Sequence, residues 1–104
     1  MTGGGWYYAI DANTVEEEDV MPAVVDGREI AIYRVEGAFF ASVDRCTHGD
    51  AALSEGIVID TVIECPLHQG RFCIRDGRAL SPPVSERIAT FPTKVEGGKI
   101  YIRF

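Results

Sequence analysis

Short runs of β-branched and aromatic residues, cut at roughly ten-residue intervals by turn dipeptides, constrain this chain more than any other feature of its sequence. Val24-Val25 leads into Asp26-Gly27, and Glu29 to Val35 follows. Asp-Gly supplies the positive φ angles of a type I′ turn, so the segment reads as a hairpin. On its second arm Ile30 and Ile32 share one face, and Ala31, Tyr33 and Val35 share the other. Glu36-Gly37 then turns the chain into Ala38 to Val43. Ile57 to Ile59 returns through Asp60-Thr61 into Val62 to Cys65, and Arg71 to Ile74 returns through Asp76-Gly77 into Arg78 to Leu80. The C-terminal part repeats the pattern: Thr93 to Val95, the turn Glu96-Gly97-Gly98, and Lys99 to Phe104 with Ile100, Ile102 and Phe104 alternating inward. Trp6, Tyr7 and Tyr8 read as strand and core aromatics. Helical character is confined to 13–19, one turn at most, with Asn13 or Thr14 as N-cap. The pattern predicts an all-β fold, a small antiparallel β-sandwich or barrel, of which the β-sandwich is the expectation adopted.

At 104 residues the chain is long enough for one domain and too short for two. Its net charge of −6 disfavours nucleic-acid backbones and anionic lipid, which are bound by clustered Lys and Arg, and predicts basic surfaces on any charged partner. No run of eighteen apolar residues is present, and the N-terminal Met1 to Gly5 lacks the charge and apolar stretch of a secretory signal. These features predict a cytoplasmic protein with no membrane association. In that reducing compartment the three cysteines are not expected to form structural disulfides; they read as ligands or as small buried hydrophobes.

Two stretches rich in Gly, Pro and polar residues, 44–56 and 66–70, interrupt the strands. Cys46-Thr47-His48 lies in the first, and Cys65-Pro66-Leu67-His68 opens the second, so both histidines of the chain fall within three residues of a cysteine. Two Cys/His pairs on separate loops form a ligand set, and zinc and an iron–sulfur cluster both fit it. Zinc accepts Cys2His2 sites, but its usual chelating pairs leave two to four residues between ligands, whereas Cys46-Thr47-His48 leaves one. A cluster with two irons needs no chelate ring within a loop, because each loop can give its Cys to one iron and its His to the other. Cys73 lies within a predicted strand and reads as structural.

Cys46-Thr47-His48-Gly49 together with Cys65-Pro66-Leu67-His68-Gln69-Gly70-Arg71-Phe72 resembles the paired cluster-binding boxes of Rieske proteins. Nearly the whole chain resembles the Rieske ferredoxins of bacterial aromatic-ring-hydroxylating dioxygenase systems, the naphthalene type in particular. The resemblance implies one 2Fe-2S cluster, with Cys46 and Cys65 on an inner iron and His48 and His68 on an outer one. It also implies a cluster-binding subdomain, about 44–83, inserted in a β base, with Ser81-Pro82-Pro83 corresponding to a covering loop. Respiratory Rieske proteins carry a further cysteine in each box, joined as a disulfide; Ala51 and Leu67 stand there in this chain. The implied function is one-electron transfer from a flavin-dependent ferredoxin reductase to a terminal oxygenase, without catalysis by the chain itself. A noncatalytic subunit of a larger redox enzyme such as a nitrite reductase, or a zinc-stabilised binding module, are the alternatives. A complete oxygenase is excluded, because a mononuclear iron site needs further histidines and none is left.

Overall fold

The computed structural model describes residues 5–47, 49–67, 69–82, 84 and 86–104, and within them the turn signals fall where strands meet. The strands are β1 (Trp6–Asp11), β2 (Asp19–Val25), β3 (Arg28–Val35), β4 (Ala38–Val43), β5 (Ile57–Ile59), β6 (Val62–Glu64), β7 (Arg71–Cys73), β8 (Ala79–Ser81), β9 (Thr90–Phe91), β10 (Thr93–Glu96) and β11 (Lys99–Arg103). They form three antiparallel sheets of order β1-β11-β10, β2-β3-β4-β9 and β5-β6-β7-β8. Asp26 and Gly27 take φ of 52° and 77° between the paired residues Val25 and Arg28, as the I′ hairpin requires. Pro22, which cannot donate to a ladder, sits in β2 at the edge of its sheet.

The alternation of β3 organises the layers. Ile30 and Ile32 pack with Val15, Ala23, Val25, Ala41, Ile100 and Ile102 into a core between the first two sheets. Ala31, Tyr33 and Val35 point the other way, into a second core with Leu53, Ile63, Phe72, Ile74, Val84, Ile88 and the two cysteines Cys46 and Cys65. Both faces of β3 are therefore withdrawn from water, and a one-residue slip would exchange its two sets of side chains. At the centre of the second core the Tyr33 hydroxyl donates to Ser42 Oγ at 2.7 Å, and Ser42 Oγ donates on to the Val43 carbonyl at 2.8 Å. A buried phenol and a buried hydroxyl are thus both satisfied.

Three expectations need correction. The helical turn is a 3-10 turn over Ala12–Thr14, so Asn13 and Thr14 lie inside it; Thr14 Oγ1 bonds back to the Asp11 carbonyl. Tyr7 and Tyr8 are strand residues but not core residues, being 40% and 50% exposed, because β1 is an edge strand whose outer side faces water. Phe104 lies beyond β11 and is 39% exposed, since the core is already filled by Ile100 and Ile102. No helix among the described residues is long and apolar enough to cross a membrane.

Burial holds the Tyr33 phenol above its ordinary value of 10.0, against the opposing pull of Ser42. Ionisation therefore favours the unfolded chain, so the Tyr33 contribution is intact below about pH 10 and is lost as pH rises beyond that. Tyr33→Phe is expected to lower unfolding free energy by about 1 kcal/mol at neutral pH, and to flatten the alkaline loss of stability. Urea denaturation on both sides of pH 10 checks both effects.

Candidate metal centre

The two cysteines stand just past strand ends. Cys46 follows β4 by three residues and Cys65 follows β6 directly, so the packing of the second sheet against the third decides how far apart they lie. The first loop is anchored at its base by Asp44, a buried carboxylate that accepts from Ser54 N at 2.7 Å and Ser54 Oγ at 2.8 Å. An isolated bridge between Arg45 and Ala52 and the Cys46 N–H to Ala51 carbonyl bond of 3.0 Å close it. The second loop is closed by the Cys65 N–H on the Gly70 carbonyl at 2.7 Å, and the Leu67 N–H points back onto Cys65 Sγ at 3.4 Å.

These anchors bring Cys46 and Cys65, nineteen residues apart in sequence, within hydrogen-bonding reach of each other. Both residues are buried, at 2% and 0% exposure. Burial pushes the Cys65 thiol up to about 11; the Leu67 N–H works against the shift and the neighbouring Cys46 adds to it. A pair of thiols crowded in an apolar pocket is a poor place for two free thiolates and a good one for a cation that shares them. The donor set thus fits a thiophilic metal centre, with a backbone N–H already aimed at one sulfur. Among the described residues no group of three His, Cys, Asp or Glu is gathered as a metal site. His48 and His68, the other two expected ligands, lie outside the described residues, as does Pro83 of the expected covering loop.

Cys73 is not part of the pair. It lies at the end of β7, 7% exposed. The Arg78 backbone N–H, and behind it the Cys73 thiol, hold the Asp76 carboxyl below its usual range. Its thiol is engaged in the β7–β8 turn.

The loops interlock by side chains that the sequence did not single out. Thr47 Oγ1 donates to the Glu86 carbonyl at 2.8 Å, tying the first cysteine loop to the segment after β8. A Cβ on Gly49 would stand 2.9 Å from Leu67 Cδ2, and one on Gly70 would stand 2.5 Å from Val84 Cγ1. Neither glycine has a positive φ, and the loop residue that does is Gln69 at 60°. Space for the neighbouring loop, rather than backbone freedom, is what these two glycines provide.

Two buried cysteines offered by two loops of a three-sheet antiparallel fold define a thiophilic metal site, of the kind that zinc or an iron–sulfur cluster occupies. The Rieske [2Fe-2S] domain matches residues 5–92. The chain belongs to the Rieske [2Fe-2S] family and carries that family's cluster as its cofactor. The ferredoxin component of a naphthalene 1,2-dioxygenase system from Pseudomonas aeruginosa is 45% identical over 97 residues, 93% of each chain. The ferredoxin of Sphingomonas yanoikuyae B1 superposes with a TM-score of 0.89 at 32% identity, covering 93% of this chain and 96% of the other. A chain in the complex of reduced oxygenase and oxidized ferredoxin of carbazole 1,9a-dioxygenase gives 0.88 at 33% identity, covering 97% and 94%. Family membership sets the zinc alternative aside.

Val84 is β-branched and buried, whereas Leu67 is longer and only half-buried, so a methyl group at position 70 is accommodated less easily than one at position 49. Gly70→Ala is expected to destabilise by about 1–3 kcal/mol and Gly49→Ala by less, with Val84→Ala restoring part of the loss in a Gly70→Ala background. Thermal melts of the three variants beside the wild type check the order.

Proposed function

We propose that this chain is the one-electron carrier of an aromatic-ring-hydroxylating dioxygenase system in the cytoplasm. It takes electrons from a flavin-dependent reductase and delivers them to a terminal oxygenase. The observation that carries the reading is the pair of buried thiols held by separate loops, in a chain whose relatives over nearly their whole length are ferredoxin components. The biphenyl dioxygenase ferredoxin subunit of Pseudomonas sp. strain KKS102, 39% identical over 97 residues, and the carbazole complex of ferredoxin with oxygenase support the same assignment of partners.

In this reading residues 44–83 are the cluster-binding part of a single domain spanning 1–104. Cys46 and Cys65 would hold one iron through thiolates, and His48 and His68 would hold the other through ring nitrogens. When bound, the cluster supplies a reversible one-electron change. The chain does the rest. Leu67 N–H, aimed at Cys65 Sγ, would favour the reduced, more negative form of a bound cluster and so raise its potential. Leu67 and Val84 cover the thiols with apolar surface and keep water from them.

Iron and acid-labile sulfide are expected at about two each per chain, with a Rieske-type electron paramagnetic resonance signal on reduction. Cys46→Ser, Cys65→Ser, His48→Ala and His68→Ala should each abolish that signal, and Cys73→Ser should keep it. Loss of the signal in the Cys73 variant with retention in any of the other four would overturn the ligand assignment. The potential is expected near the lower end of the Rieske range, closer to about −150 mV than to +300 mV, as protein-film voltammetry will read directly.

A further inference from the structure

Among the described residues one carboxylate is buried, that of Asp44 at 7% exposure, and it stands two residues before Cys46. Ser54 closes on both of its oxygens, the N–H on Oδ1 at 2.7 Å and the hydroxyl on Oδ2 at 2.8 Å. The backbone of Asp44 is held as well: its N–H donates to the Glu29 carbonyl at 3.0 Å, and its carbonyl accepts from Leu53 N–H at 2.6 Å. Four hydrogen bonds thus tie the start of the first cysteine loop to β3 on one side and to the far arm of the loop on the other. Leu53 packs in the same core as Cys46, Cys65 and Tyr33, and the Asp44 charge is felt in that core, where it adds to the upward shift of the Tyr33 phenol.

No cation answers this charge. Among the described residues no Lys or Arg lies within ion-pair distance of Asp44, and its neighbour Arg45 pairs with Asp50 instead. The groove beside Asp44 holds that Arg45–Asp50 pair, whose charges oppose each other, and one further acid, Glu29. The second cysteine loop is built differently. Glu64 immediately precedes Cys65, and its carboxylate sits on Arg71 Nε at 3.0 Å, so the acid at that neck is neutralised. A buried charge without a counter-ion is costly even when it is hydrogen-bonded, and Asp44 stands as the exception at the neck of a loop that offers a thiol.

We propose that Asp44 is a positioning residue for the first cysteine loop, and that its uncompensated carboxylate holds the reduction potential of the centre down. The inference rests on the ligand assignment proposed above. Two residues of chain span at most about 7 Å, so the Asp44 backbone cannot lie farther than that from Cys46. In an interior of low effective dielectric a fixed anion at such range repels added negative charge far more than it would in water, and net charge around a cluster is one of the factors that set its potential. The two loops then act in opposite senses. The Leu67 N–H of the second favours the reduced form, and the Asp44 carboxylate of the first disfavours it. Ser54 moderates the effect, because each hydrogen bond it donates draws charge from the carboxylate.

The test compares the full chain, with its cluster assembled, with Asp44→Asn, Ser54→Ala and Asp44→Ala, and with Glu16→Gln, an exposed acid that controls for net charge. Asparagine removes the charge and keeps both contacts, since its oxygen accepts from Ser54 N–H and its amide donates to the Ser54 hydroxyl. Protein-film voltammetry is expected to place Asp44→Asn above wild type by about a tenfold change in the electron-exchange equilibrium, about 59 mV for one electron. Ser54→Ala should fall below wild type, because its carboxylate has lost a donor, and Glu16→Gln should stay at the wild-type value. Asp44→Ala lacks charge and contacts alike, and should lose its Rieske electron paramagnetic resonance signal to a ferrous chelator several-fold faster than wild type, with Asp44→Asn close to wild type. A potential in Asp44→Asn that is no higher than that of Glu16→Gln overturns the electrostatic role, and a wild-type rate of loss in Asp44→Ala overturns the positioning role. If Asp44→Asn assembles no cluster, Ser54→Ala decides, and a potential at or above wild type overturns the proposal. A wild type without the Rieske signal overturns the ligand assignment and this proposal with it, whereas a wild type with the signal and variants of unmoved potential overturn this proposal alone.

Discussion

Everything in this fold depends on β3 being buried on both faces. Ile30, Ala31, Ile32 and Tyr33 are all at 0% exposure, so four consecutive residues are withdrawn from water and serve two different cores. Full burial of a large aliphatic or aromatic side chain contributes roughly 1.5–3 kcal/mol, so Ile30, Ile32 and Tyr33 are among the strongest single contributors to stability. The division of labour is geometric. Ile30 and Ile32 hold the sandwich of the first two sheets, and Ala31 and Tyr33 hold the third sheet and the cysteine loops against it. The I′ turn at Asp26-Gly27 locks the register with β2, and thereby determines which residues face the cysteines.

The thiols inherit their positions from that core. Neither cysteine lies in a strand; each follows one, and the strands belong to different sheets. Their separation is therefore a packing distance rather than a distance along a ladder, set by Tyr33, Leu53, Ile63 and Phe72 filling the space between the sheets. Interiors pack at crystal-like density, so a core of this kind resists displacement when charge changes nearby. Three loops then clasp one another through Thr47 with Glu86, Leu67 over Gly49 and Val84 over Gly70. Apolar contact and backbone hydrogen bonds hold the loops, without any disulfide among the described residues.

Most of the architecture was legible because its signals are local. Asp-Gly and Glu-Gly dipeptides announce positive φ, and the alternation along 29–35 announces two faces; both follow from short-range sterics. What escaped the sequence reading is long-range. The bond from Thr47 to Glu86 spans 39 residues, and the seat of Val84 on Gly70 is visible only once the loops meet. Gly49 and Gly70 did carry a signal, but a glycine kept for space looks the same in sequence as a glycine kept for its φ. β9 was missed because two residues, Thr90 and Phe91, give no period to read. Exposure at the N-terminal edge was misjudged for a related reason: Tyr7 and Tyr8 have strand propensity and apolar bulk, and neither property distinguishes an edge strand from a central one.

The acidic balance is distributed by the turns, and that distribution bears on how a small acidic protein meets its partners. A net charge is a sum, and the sum hides that acids collect where backbone N–H groups of tight turns can bind them. Glu17 caps the Glu36-Gly37 turn and Glu18 caps the turn at Asp60, so these carboxylates are placed by the needs of hairpin ends as much as by solubility. Because β3 and β4 run the length of the second sheet, one end of the sheet holds those turns and the other holds the first cysteine loop. Hairpin topology therefore sets one group of acids apart from the cysteine loops, while Asp26, Glu29 and Asp50 stay exposed at the end that carries the first of them.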